Sequence, residues 1–184
     1  MLVALLVGAV AAVVAVLRGG SLRTLAETHF KWVPLLYAAL IVQLVFEFWS
    51  PSWIHGTFAF TLLLATTAAI AVFLFANRHL PGLAIAGVGL ALNLVVIGVN
   101  GAMPVSVSAA REAGVASNLN DIGFKHERMG PDTRLRFLGD VIPIPNSQQI
   151  FSVGDVVLAL GIGWLVYRRT LVAKSVLRAT TVSG

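Results

Sequence analysis

Apolar positions in this chain come in long unbroken runs, not in the alternating stripes of a water-facing helix or strand. Residues 1–17, 33–49, 57–76, 83–99 and 151–167 are almost wholly apolar, and short polar stretches divide most of them. A helix crosses the hydrocarbon of a bilayer with about 20 apolar residues. The pattern therefore predicts an all-α fold, a polytopic membrane bundle of about five transmembrane helices forming a single integral membrane domain over residues 1–184. The first run has no basic segment ahead of it and no small-x-small cleavage site after it. It is expected to be a retained helix, not a removed signal peptide.

The connections are read from their turn chemistry. Arg18-Gly19-Gly20 ends the first helix, and residues 18–32 form a charged, amphipathic segment expected to lie along the interface. Trp32 and Trp53 sit where an aromatic belt would be, and Pro34 falls in a first helical turn, where proline is tolerated. Gly87 and Ala91 make a small-xxx-small pair that invites close helix packing. Residues 100–150 are different: polar, rich in Gly and Pro, and too long for a plain connector. They are expected to form an extracytoplasmic loop before the last helix and to hold any binding or catalytic function.

Composition agrees with a lipid environment. Only 11% of residues are charged, against about 25% in soluble domains, too few to solvate a surface. The net charge of +5 does not point to nucleic acid, because the basic residues cap apolar runs and make no basic stripe with interleaved aromatics. Arg18, Arg23, Lys31, Arg78, Arg168, Arg169, Lys174 and Arg178 fall on one side of the expected bundle. On the other side, Arg111, Lys125, Arg128, Arg134 and Arg136 are balanced by Glu112, Asp121, Glu127, Asp132 and Asp140. The positive-inside rule then predicts a multi-pass protein of the cell (inner/plasma) membrane, with its N-terminus outside and its C-terminus cytoplasmic. Cysteine is absent and the four histidines are scattered, so no metal and no cofactor are expected.

Few residues could carry chemistry. Gln43 and Glu47 lie four apart on one helix face, and Asn93 and Asn100 fall within and at the end of the fourth run. Polar groups in spanning helices are costly and mark functional candidates, although Glu47 lies within a turn of Trp49 and can equally sit among headgroups. Asp140 and Asp155 bracket a Pro-rich turn. If they meet, they form a pair that shares a proton, one acting as base and the other as acid. The competing explanation is structural: Ser152-Val153-Gly154-Asp155 has the spacing of a capping box, and Asp140 suits a turn beside Gly139.

The chain resembles an uncharacterised bacterial membrane family, domain of unknown function 5317, in Arg18-Gly19-Gly20, Gln43, LNLVVIGVNGAMPVS (92–106), FLGDVIPIP (137–145) and FSVGDVVLALG (151–161). That resemblance implies no activity. The last third also has a distant likeness to lipoprotein signal peptidase, whose final helix opens on a Phe-Asn-x-Ala-Asp motif with a second Asp upstream. It implies a catalytic Asp140/Asp155 pair, although the Asn-Ala of that motif is here Val153-Gly154. Two functions are carried forward. One is a binding or accessory protein for a lipid, an apolar ligand or a membrane-protein partner. The other is a membrane-embedded aspartic hydrolase.

Overall fold

The computed structural model describes the backbone of residues 2–48, 56–115 and 126–182, and side chains within 3–45, 56–115 and 126–171. Its helices are α1 (Leu2–Leu17), α2 (Leu22–Ala26), α3 (Val33–Phe48), α4 (Gly56–Ala76), α5 (Leu83–Asn100), α6 (Val107–Glu112) and α7 (Val153–Val182). Four short strands, β1 (Met103–Val105), β2 (His126–Arg128), β3 (Asp140–Ile144) and β4 (Gln149–Ser152), lie between α5 and α7.

Mostly helical architecture agrees with the sequence, but two details do not. Among the described residues, length and composition make two helices fit to cross a membrane, α4 and α5. The apolar runs of α1 and α3 give helices of 16 residues each, about 24 Å at 1.5 Å per residue, which falls short of a hydrocarbon layer about 30 Å thick. The second correction concerns the long loop. Its described residues carry regular structure, and the fold is not purely α: the strands form one sheet in the order β2-β1-β3-β4. β1 pairs in parallel with both β2 and β3, while β3 and β4 form an antiparallel hairpin. As a result the last helix starts at Val153, and Phe151 and Ser152 belong to β4.

Two antiparallel helices, α5 and α7, form the centre of the helical body. Their backbones nearly touch. A Cβ on Gly89 would lie 2.5 Å from the Gly154 carbonyl oxygen, one on Gly154 would lie 2.6 Å from the Gly89 oxygen, and one on Gly161 would overlap the Ala86 nitrogen. Gly82 adds a backbone requirement. With φ +86 it takes the left-handed conformation that L side chains avoid, at the point where the chain enters α5. Positions 82, 86, 89 and 93 thus form one stripe against 154, 158, 161 and 165. Gly87, expected to mediate packing with Ala91, faces open space instead.

The stripe runs from one end of the body to the other, and the ends differ. At one end Arg18 donates from Nη1 to the Tyr167 hydroxyl at 2.6 Å, and Arg169 Nε donates to Thr28 Oγ1 at 3.0 Å. There the Ser21 N–H bonds the Thr170 carbonyl, so the segment after α1 docks on α7. Buried Asn77, just past α4, grips Lys31 at the same end: its Oδ1 accepts from Lys31 N, and its Nδ2 donates to Lys31 O and Phe73 O. The sheet occupies the opposite end, where α5 finishes and α7 begins. Between the two ends, large apolar side chains such as Leu5, Val10, Ile41, Val72, Val88 and Leu160 are exposed.

Candidate functional site

The site forms where β4 turns into α7. A helix start leaves backbone N–H groups without partners, and Ser152 and Asp155 supply them. Asp155 N donates to Ser152 Oγ at 3.0 Å, and Ser152 N donates to Asp155 Oδ2 at 3.1 Å. This is the reciprocal capping box that the S-x-x-D spacing predicts. Because α5 lies so close to α7, Asn93 reaches the same cap. Its Nδ2 donates to Asp155 Oδ1 at 2.8 Å, and its Oδ1 accepts from the Ser152 hydroxyl at 2.9 Å. Gly154 makes this geometry accessible, since a Cβ there would overlap Asn93 Oδ1.

Asp140 enters from the sheet. It pairs with Ser152 across the β3–β4 hairpin and with Val105 on β1, and it is only 5% exposed. Burial, with the nearby Asp155 charge second, pushes its carboxyl up to about 8. Both causes disfavour the ionised form, so Asp140 holds its proton at neutral pH. His126 Nε2 lies 3.5 Å from Asp140 Oδ2, and parallel pairing of β2 with β1 brings it there. Asn93, His126, Asp140, Ser152 and Asp155 therefore make one polar cluster at the junction of sheet and helices. Within it the raised Asp140 carboxyl lies close enough to Asp155 to feel its charge.

A model of the family of unknown function DUF5317 matches residues 27–167. The chain belongs to that family. No curated protein and no solved structure matches it. The span shared with DUF5317 includes every member of the polar cluster and leaves out α1 and the Arg18-Gly19-Gly20 stretch.

The remaining candidates go elsewhere. In this DUF5317 member Gln43 joins α3 to α4, its Nε2 donating to Thr66 and Thr67 hydroxyls at 3.3 and 3.4 Å. The Glu47 side chain lies outside the described residues. Asn100 is a clamp: Oδ1 accepts from Arg134 N at 2.9 Å, while Nδ2 donates to Arg134 O and Val96 O. Beside it a cleft of about 250 Å³ opens, lined by Val99, Asn100, Pro104, Glu127, Arg128, Gly130, Pro131, Asp132 and Thr133. Neither Asp140 nor Asp155 lines this cleft.

Sequence reasoning placed Asp140, Asp155 and Asn93 among the candidates but missed His126. Its separation from Asp140 along the chain gives no hint of contact, and a three-residue parallel strand has no readable periodicity. An Asp ahead of a Val-Ile-Pro-Ile run is the one local cue that β3 turns a carboxylate inward.

Proposed function

We propose that this protein is a multi-pass integral membrane protein of the cell membrane, its helices crossing the bilayer with the N-terminus outside and the C-terminus cytoplasmic, and that its outer cap binds a lipid or a membrane partner. The observation that carries this reading is the separation along the body. An exposed apolar middle is flanked at one end by Arg18, Lys31, Arg78, Arg168 and Arg169, and at the other by the sheet with its cleft. Cationic residues suit the cytoplasmic headgroup layer. The short α1 and α3 are accommodated by flanking residues reaching the headgroups and by local thinning of the bilayer. Arg78 over Phe75 and Arg168 over Trp164, with the guanidinium 4.0 and 5.5 Å from the ring centroids, resemble interfacial anchors of this kind. The cleft has Arg128 beside Glu127 and Asp132, a lining that suits a charged lipid headgroup better than a wholly apolar ligand.

Alkaline extraction of membranes tests residence in the bilayer, and single cysteines in this cysteine-free chain test orientation. Cysteine placed at Asp132 should react with an impermeant maleimide in intact cells, and cysteine placed at Arg78 only after lysis. Release at alkaline pH, or the reverse labelling, rules the reading out.

One observation favours a second reading, an aspartic hydrolase: the raised carboxyl of Asp140 next to the charge of Asp155. A carboxyl that keeps its proton beside a second carboxylate is what such a pair needs. Under this reading Asp140→Asn and Asp155→Asn each abolish cleavage of a membrane-anchored substrate while folded protein persists. Retained cleavage in either variant eliminates it.

A further inference from the structure

Residues 134–137, Arg-Leu-Arg-Phe, leave the end of α5 as a fixed, exposed prominence. Phe137 is 66% exposed and Leu135 36%. Leu135 has φ +52, a left-handed conformation that costs a branched side chain roughly 1 kcal/mol or more. Mobility does not explain the exposure, because both ends of the segment are held. Asn100 grips the Arg134 backbone through two hydrogen bonds. Leu138 packs against Val96, Ile97 and Met103, and Leu138 N and Gly139 N close a tight turn onto Leu135 O and Arg136 O. A strained backbone is thus held rigidly with two large apolar side chains outward and an arginine beside each.

From this geometry we infer that residues 134–137 anchor the outer cap in the bilayer surface, Leu135 and Phe137 entering the acyl boundary while Arg134 and Arg136 meet lipid phosphates. The occupant is a phospholipid surface carrying anionic headgroups. Two arguments select it. The segment is tied to the last turn of α5, where exposed Val95 and Val99 bring the apolar surface of the body up to the same level. Apolar side chains alternating with arginines complement an interface that is hydrocarbon below and phosphate above. The inference rests on the multi-pass reading, and its test separates the two.

Nitroxides are attached at single cysteines replacing Leu135, Val88 on α5, or Ser147 at the tip of the β3–β4 hairpin. The full chain is reconstituted in vesicles of phosphatidylethanolamine with one quarter phosphatidylglycerol. Collision with dissolved oxygen reports lipid, and collision with a nickel chelate reports water. The expected result is oxygen-favoured contact at 88 and 135 and nickel-favoured contact at 147, with Phe137→Asp moving the label at 135 several-fold toward the chelate. An aqueous signal at 135 while 88 stays in lipid overturns the anchor alone, and so does indifference of the label at 135 to Phe137→Asp. An aqueous signal at 88 overturns the multi-pass reading and the anchor with it.

Discussion

Asn93 on α5 and Asp155 on α7 are joined by a 2.8 Å hydrogen bond in which the amide of one helix completes the N-terminal cap of the other. The contact belongs to both packing and chemistry. It fixes how far α7 slides along α5, and it determines which lone pairs of Asp155 remain to act on anything else.

Asn93→Leu should be strongly destabilising. It removes the donor to Asp155 and the acceptor for Ser152 in a space with no room for extra branching, and each orphaned buried group costs about 1–3 kcal/mol. Thermal unfolding in detergent, followed by intrinsic tryptophan fluorescence, measures the loss. A melting temperature unchanged from wild type would show that the cap does not need α5.

Asp155→Asn presents one acceptor where two donors, Asn93 Nδ2 and Ser152 N, now each find an oxygen. It should cost about 1–2 kcal/mol, more than a plain capping change. It should also lower the Asp140 carboxyl toward the ordinary range by removing the neighbouring charge, a shift that pH-difference infrared spectroscopy of the carboxyl stretch resolves.

The raised Asp140 carboxyl has a definite sign in stability. A folded-state value of about 8 above an ordinary unfolded value near ~4 means that the folded chain binds the extra proton between those limits. This contribution to stability therefore falls as pH rises from about 4 to about 8, by at most ~1.4 kcal/mol per pH unit, and is level outside that window. Asp140→Asn should flatten the slope and raise the melting temperature most at pH 8. Equal slopes in the two proteins would contradict the buried, protonated state.

The α5–α7 seam predicts opposite outcomes for two glycines two positions apart. Gly89→Ala drives a methyl into the α7 backbone and should destabilise by several kcal/mol or prevent folding. Gly87→Ala meets nothing within 4 Å and should be neutral or stabilising by up to about 1 kcal/mol through helix propensity. Yields of monodisperse protein in detergent and melting temperatures distinguish them.

Asn100→Ala should loosen the 134–138 segment without unfolding the bundle. Hydrogen exchange of the amides at Arg134 and Leu138 is expected to quicken while that of α4 stays the same. Uniform acceleration would mean that Asn100 supports the whole fold and not this segment.

Local signals carried much of this. Runs of apolar residues bounded by Gly, Pro and Arg located α1, α3, α4 and α5 to within a few residues, because helix formation in apolar surroundings depends on near neighbours, whereas α7 continues past its apolar run (151–167) to Val182. The S-x-x-D spacing gave the cap of α7 for the same reason, since both partners lie within one turn. The sheet was hidden. In β3 the alternation breaks at an irregularity between Asp140 and Ile142, leaving Asp140 buried and Ile142 and Ile144 exposed, so a reading that seeks apolar residues on the buried face finds no strand.

Charge placement, helix positions and the capping box were thus fixed by the order of residues along the chain. Which glycines touch, that Asn77 and Asn100 are backbone clamps, and that His126 meets Asp140 were decided only by the tertiary fold. The physical reason is range. Turn, cap and helix preferences act over three or four residues, whereas burial, close backbone approach and a raised carboxyl depend on segments that fold together from tens of residues apart.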